Sequence, residues 1–487
     1  MKFNLITDPW IPVRKTTGET ALLSLAAVFA NPEQISDLDA RPHERISLMR
    51  LLICIAQAAG GIPEEDEWDD FRADFAGKSV GYLSCPDVTP YFELFGKGQR
   101  FLQLPVTSKE PVSCSKLFPM LASGNNPTVL DHEGGTEREF PPAQLALGLL
   151  VFQNFYPLYG AGYKGRGPAV DSNMLHTFVG GRDLQHIIAN NCLDTNEVSQ
   201  FSGGVGRPIW EKSPSSVRDA DAIANASSTY LGRLVPMHRS VRLTDDGRCF
   251  NLVKDSIEYP PFDVYSREPS STVVVWGKKG AEKPRLLPAR LDQAVWRQLH
   301  SLTVLRREEQ STASAPAVLD CYRQNAAEAD CPIWTGALVT DLKAKILDVI
   351  ESTFSLPEAM FGSGRKVYAQ GVQHAEFWEG RLKKAVSAYG SNLMKDKPST
   401  REATQHFWNA LDQQSEVLLN VVRDPEATFD MGSKNAWIVL INQAVRAAFE
   451  FACPRQTPRH YEAYAAGLGK LYPKPSKKKR AAAKALH

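Results

Sequence analysis

The chain has 487 residues, with 56 lysines and arginines against 55 aspartates and glutamates and a formal net charge of +1. That length predicts two to three domains, and 43% hydrophobic with 23% charged residues is globular composition. Near-neutrality excludes a wholly basic nucleic-acid binder, and eight scattered cysteines without a CxxC pair argue against a zinc ribbon or a disulfide framework.

Leu5 and Ile6 read as a short strand and Asp8-Pro9 as a turn. Trp10 and Ile11, set between two prolines, read as a plug from an edge segment. Residues 1–20 lack a basic start and apolar signal core, which predicts a cytoplasmic protein. Residues 43–59 place Ile46, Met49, Ile53 and Ala56 near helical spacing, closed by Gly60-Gly61. The apolar run Leu51 to Ala59 inside it is too short to cross a bilayer, so no membrane partner is expected. Phe92–Phe95 and Phe101–Leu104 read as short strands around Gly96 and Gly98. The polar, Gly- and Pro-rich stretch 122–142 reads as a long loop, 143–157 as a buried helix, 160–168 as a second loop and 183–193 as a helix. Residues 240–252 and 272–276 read as strands; 288–312 and 336–354 read as helical.

Beyond about residue 370, four helical segments follow, at roughly 372–390, 400–422, 433–452 and 457–471. Ser399 with Glu402 forms a capping box, and Thr457-Pro458 supplies an N-cap and first-turn proline. Trp437, Leu440, Ile441, Ala444, Ala448 and Phe451 make one apolar stripe. The fold class is therefore α+β: a large irregular mixed α/β domain over 1–365, then a C-terminal four-helix bundle over 366–472. The tail 473–487, with Lys474, Lys477, Lys478, Lys479, Arg480 and Lys484, reads as a solubilising end or a non-specific DNA attractor.

The loop around Gly160, Gly162, Gly165 and Gly167 carries the most chemistry. Glycines let backbone N–H groups approach a ligand, Lys164 and Arg166 add positive charge, and Tyr159 and Tyr163 offer stacking surfaces. No G-K-[ST] follows, so it is not a Walker loop. The preceding helical pattern argues against a dinucleotide fingerprint. Nucleic-acid contact, a plain flexible loop and a small phosphate site all remain readings of the spacing alone.

The opening L-I-x-D-P-W-I-P-V (Leu5 to Val13) resembles the start of the CasA family, the large subunit of the type I-E CRISPR surveillance complex Cascade. Pro157, Tyr159, Gly160, Gly162, Tyr163 and Lys164 are similar to the family's P-x-aromatic-G-x-G-aromatic-K, and Thr177–Leu184 resembles its T-F-V-x-G-x-D-L element. The resemblance implies that this loop, through Gly160, Ala161, Gly162, Tyr163, Lys164 and Arg166, reads the protospacer-adjacent motif from the minor groove. Lys254 stands by position for the family's groove-entering hairpin lysine, and a solvated surface lysine is the other reading. Ala161 stands where some relatives have glycine. The loop 122–142, with Val129, Leu130, Asp131 and His132 at its centre, matches by order the family's loop near the guide end. Residues 335–348 resemble the family's wedge, a turn feeding a helix, and place Thr340, Asp341 and Lys343 at the first base pairs. A plain helix N-terminus capped by Thr340 or Asp341 is the other reading.

An aspartate beside DNA is repelled unless it is paired, and Asp131-His132 has no nucleophile or metal set beside it; a structural turn accounts for the pair. Gly203, Gly204, Gly206 and Arg207 either line a DNA path or form a turn before Trp210. The resemblance implies a non-enzymatic subunit without cofactors. Its partners are the other Cascade subunits, the CRISPR guide RNA, double-stranded target DNA and a helicase-nuclease recruited after R-loop formation. A protein-only scaffold, or a phosphate-ligand enzyme using the glycine loop, are the alternatives.

Overall fold

The computed structural model describes residues 1–121, 131, 138–155, 173–253, 268–276, 283–305, 313–325, 330–341, 346–393, 398–424, 426–429 and 434–473. The chain divides into two compact units: Met1–Val295 with Val304–Ser355, and Trp296–Thr303 with Leu356–His487. Helices and small sheets are mixed along the first unit and helices dominate the second, an α+β fold.

Leu5 and Ile6 are not a strand. Asn4 closes a turn there: its carbonyl accepts from the Asp8 amide at 2.8 Å, and its side chain accepts from the Ile6 amide at 2.9 Å. A side chain that bonds its own backbone competes with strand pairing. The strand begins later, at Ile11–Lys15, and it is the centre of its sheet rather than an edge. Thr20–Leu23 and Ile35–Leu38 flank it, both antiparallel. Trp10 is buried as expected, its Nε1 donating to the Leu5 carbonyl at 3.0 Å.

The first helix of the sequence reading spans Pro42–Gly60, with Pro42 in its first turn and Gly61 at φ +85° as its stop. It is buried on all sides, from Arg45 to Gln57. Polar groups along it therefore need partners inside the protein. Arg50 Nε donates to the Leu234 carbonyl and Nη2 to the Arg233 carbonyl, each at 2.7 Å, while Nη1 pairs with Glu268. Gln57 donates to the Leu193 carbonyl at 2.7 Å and accepts from the Leu193 amide at 2.9 Å.

Elsewhere the structure differs from the sequence reading in three places. Phe92 ends a 3-10 turn, Thr89–Phe92, and only isolated bridges, Asn4 to Glu93 and Arg100 to Gln103, stand where strands were expected. The stretch 336–354 is not helical: it lies in two long strands, Asp330–Thr340 and Ile346–Pro357. Its β-branched and aromatic residues outweigh an apolar spacing that fits both periods. Within 288–312, the described residues form only the short turns Val295–Gln298 and Leu299–Leu302. The helices Pro142–Phe155 and Leu184–Asn190 and the hairpin of Val241–Leu243 with Cys249–Leu252 form as read. All eight cysteines are unpaired thiols. Among the described residues, no single helix is long and apolar enough to cross a membrane.

In the second unit, Ser363–Ser391 packs against Pro458–Leu471, Ala436–Ala452 and Thr400–Asp412, with the short Glu416–Val422 helix following the last. Ser399 accepts from the Glu402 amide and Thr457 from the His460 amide, both at 3.3 Å, as the capping signals predict. The second expected helix is broken between Asp412 and Glu416. The apolar stripe also shifts: Val445 and Phe449 are buried with Trp437, whereas Phe451 is 60% exposed and stacks on His406 at 4.7 Å. Trp296 joins this core, its Nε1 donating to Asp412 at 2.7 Å and its carbonyl accepting from Tyr368 at 2.8 Å.

Replacing Glu268 leaves the Arg50 guanidinium buried without its counter-ion. Glu268→Ala is expected to lower stability in chemical denaturation by about 3 kcal/mol, with the m-value unchanged. Burial, followed by the charge of Arg41, holds the His43 imidazole down to about 4 from an ordinary 6.5. The unfolded chain therefore binds the proton more readily. Stability from this group is complete above about pH 6.5 and is lost as the pH falls towards 4, amounting to about 2 kcal/mol at pH 5. His43→Leu is expected to flatten the pH dependence of the denaturation midpoint in that window.

Candidate nucleic-acid interface

The Thr177–Leu184 element folds as strand, glycine turn and helix. His176–Val179 pairs antiparallel with Asp330–Thr340, in a register that sets Val179 opposite Ile333 and His176 opposite Gly336. Beyond the strand, the Gly180 amide donates to the Pro332 carbonyl at 2.7 Å. A Cβ on Gly181 would lie 2.7 Å from His186 Cβ and 2.9 Å from the Ile187 amide, so only glycine lets the turn close on the helix. Asp183 caps that helix, accepting from the His186 amide at 3.0 Å and bonding His186 Nδ1 at 2.6 Å. Partial burial raises the Asp183 proton affinity, but the bonds from His186 outweigh it and hold the carboxyl below its usual range. The far end of the strand is held by Asn191, which accepts from the Val179 amide at 2.8 Å and donates to its carbonyl at 2.7 Å.

This sheet is closely packed at its middle. His176 is wholly buried; burial, then the charge of Arg50, keeps its imidazole neutral, and Nδ1 bonds Ser270 Oγ at 2.8 Å. Trp334 lies against Phe178 at 6.1 Å, under the Arg45 guanidinium at 4.8 Å, with its Nε1 donating to Glu351 at 3.2 Å. The indole covers Gly336, where a Cβ would sit 2.1 Å from the ring. Ile346–Pro357 lies on the other side of Asp330–Thr340, and a connection as short as 341–345 makes the two an antiparallel hairpin.

The two described wedge candidates, Thr340 and Asp341, accordingly sit at the end of a strand that is followed by another strand and not by a helix. Thr340 is the buried last residue of its strand and Asp341 is exposed beyond it; neither caps a helix. Asn173 begins the segment entering His176–Val179, in the left-handed region at φ +67°. Its Oδ1 accepts from the Thr340 amide at 2.6 Å and its Nδ2 donates to the Thr340 carbonyl at 3.1 Å. Asp131 pairs bidentately with Arg138, at 2.8 and 3.1 Å, both side chains mostly buried. That ion pair neutralises the carboxylate which alone would repel DNA. Val129, Leu130, His132, Gly160, Ala161, Gly162, Tyr163, Lys164, Arg166, Lys254 and Lys343 lie outside the described residues, as does the basic tail from Lys474 onward. Of the sequence candidates, Asp131, Thr340 and Asp341 are described.

Sequence reasoning missed Asn173 and Arg138. The signal for Asn173 was an asparagine, the non-glycine residue most tolerant of positive φ, between a glycine-rich stretch and a strand. Arg138 was signalled only as a basic residue closing a loop that Asp131 sits in. The segment 202–210 resolves as a turn: Gly204 and Gly206 have φ near +67°, a Cβ on Gly206 would lie 1.9 Å from Thr229 Oγ1, and Trp210 is buried. Arg207 is exposed, its backbone gripped by Asn225 through bonds of 3.0 and 2.8 Å. In the second unit, Lys383, Lys384, Ser387, Thr400 and Lys470 line an open groove of about 460 Å³. Lys383 is partly neutralised by Glu379 at 2.7 Å. Among the described residues, no group of three or more His, Cys, Asp or Glu side chains is placed to hold a metal ion.

The family model for CRISPR-associated protein Cse1 matches residues 4–448. The CRISPR-associated protein CasA/Cse1 of Thermus thermophilus is 28% identical over 452 residues, covering 84% of this chain and 86% of that one. Solved structures share the fold. That of Thermus thermophilus CasA (Cse1) has a TM-score of 0.76 at 20% identity, over 96% of this chain and 98% of the other. Thermobifida fusca Cse1 has a TM-score of 0.74 at 20% identity, over 96% and 97%. A chain of a structure titled CRISPR RNA-guided surveillance complex has a TM-score of 0.73 at 18% identity, over 97% and 99%.

Packing at Gly336 gives a direct test of the sheet. With Phe178, Arg45 and Glu351 holding the indole, Gly336→Ala is expected to cost about 1–3 kcal/mol. Hydrogen exchange should show protection lost first in His176–Val179 and Asp330–Thr340.

Proposed function

Because the chain belongs to the CRISPR-associated Cse1 family, we propose that it is the large subunit of a CRISPR RNA-guided DNA surveillance complex and reads the protospacer-adjacent motif in double-stranded DNA. The glycine loop with Lys164 and Arg166 contacts the motif. The hairpin tip after Thr340 starts strand separation beside it. Opening base pairs costs a few kcal/mol, which contacts made to the opened duplex offset. The guide RNA then reads the target by base pairing, while protein reads only the motif and the backbone. The subunit is not a catalyst. It acts with the other Cascade subunits and the guide RNA, stabilises the R-loop, and helps recruit the helicase-nuclease.

One observation carries this reading. The strand from the T-F-V element is antiparallel to the strand that ends at Thr340. The sequence segments assigned to motif reading, 156–172 and 341–345, therefore adjoin the same end of one sheet. Three further features support it. Asp131 is neutralised by Arg138, which removes a repulsive charge from the first loop. The lysine groove of the second unit suits a nucleic-acid backbone, consistent with a displaced strand held through phosphates. Near-neutral net charge fits a subunit that borrows much of its DNA affinity from its partners.

The test is a gel shift with the reconstituted complex on guide-matched duplexes randomised beside the target. Wild type should enrich particular flanking bases. Lys164→Ala should weaken binding to the enriched duplexes about tenfold and lower the salt slope by about one. Gly160→Asp should abolish the enrichment while assembly persists. Equal binding to every flank by wild type and variants would leave a protein-only scaffold as the better reading.

A further inference from the structure

Asn173 joins the two segments assigned to motif reading through a pair of hydrogen bonds. It is the first residue after 156–172 and reaches Thr340, the last residue of the strand before 341–345. The contact is two-sided: the Thr340 amide donates to Oδ1 at 2.6 Å and the Thr340 carbonyl accepts from Nδ2 at 3.1 Å. Ordinary strand pairing on this edge ends at Gly336 and His176. The side chain thus extends the cross-link past the last paired residues, to the point where both segments leave the sheet. A rigid amide bonded at both ends fixes separation and orientation together, which a single bond does not.

The backbone of Asn173 is held independently. Its carbonyl accepts from the Ala289 amide at 2.7 Å, and the next-but-one amide, of Leu175, donates to the Leu287 carbonyl at 3.0 Å. The side chain is therefore free to serve the hairpin without being needed for the local fold. Its φ of +67° is open to glycine as well.

We infer that Asn173 is a positioning residue that ties the strand end at Thr340 to the start of its neighbour, the two points from which the segments assigned to motif reading and strand opening leave the sheet. The inference rests on the motif-reading role proposed above. Asn173→Gly keeps the backbone conformation and removes both bonds. Asn173→Asp keeps the acceptor for the Thr340 amide but turns a second oxygen towards the Thr340 carbonyl.

The experiment uses the assembled complex, the best- and worst-binding flanks of the randomised pool, and a fluorescent base analogue at the first target base pair. The readouts are the affinity ratio between the two flanks and the fluorescence rise on opening. A merely destabilised subunit lowers the active fraction equally for both duplexes and leaves the ratio unchanged. Asn173→Gly is expected to reduce the ratio about tenfold, the size of two lost hydrogen bonds, and to suppress opening on the good flank. Asn173→Asp should show a loss of the same sign, so the result does not depend on one variant folding. A wild type that discriminates beside two variants that discriminate equally well overturns the positioning role alone. A wild-type ratio near one overturns the motif-reading proposal and the role of Asn173 with it.

Discussion

The Arg50 guanidinium is the constraint around which the first unit is arranged. A charge inside an all-round apolar helix is tolerable only if each face of it meets a partner, because removing it from water costs several kcal/mol. Two backbone carbonyls at the end of the Tyr230–Leu234 helix and the Glu268 carboxylate meet that demand. These partners lie some 180 to 220 positions away in sequence. Satisfying one side chain therefore fixes where two distant segments can sit. Burial pulls the Glu268 carboxyl upward, against the charges of Arg50 and then Arg233. A buried pair of this kind is weak evidence of stability in itself, since apolar sets of similar volume often pack with no greater penalty.

From that centre the constraint reaches the sheet of His176–Val179. His176 is kept neutral in part by the same arginine, and Trp334 is held by three neighbours over the one residue type that leaves room for it. Rigid strands ending in short, polar connections are how proteins usually present contacts to a nucleic acid. The scaffold carries the precision and the connection carries the chemistry.

What the sequence made legible was local. Pro42, Gly61, Ser399 and Thr457 act through their own backbone, and the helices they bound appear within a few residues of where they were read. The Thr177–Leu184 element was legible as a motif and gains its reason from Gly181 and Asp183. The failures have physical causes. Residues 336–354 fit helical spacing as well as strand spacing, and only the partner strand decides between them. Leu5 and Ile6 have strand-like side chains, but Asn4 captures the backbone first. Phe451 sits at a helical interval from Trp437 yet faces outward, because the stripe drifts towards Val445 and Phe449. Of the site, Asp131, Thr340 and Asp341 could be named from order along the chain. Arg138 and Asn173 could not, since pairing across a loop and an amide clamp leave no periodic trace. Nothing local marks Trp296–Thr303 as part of the second unit either.

The indoles of the second unit have an optical consequence. Trp296 lies 5.4 Å from Trp437 and 6.1 Å from Trp408, with the Arg297 guanidinium 3.6 Å above the Trp408 ring. Rings this close share their excited states, and a cation over one of them shifts its emission. Trp10, Trp68, Trp210 and Trp334 of the first unit are buried as well. The helical unit therefore carries its own spectroscopic label. A change in the coupled-indole part of the near-ultraviolet dichroism therefore reports on the packing of that unit.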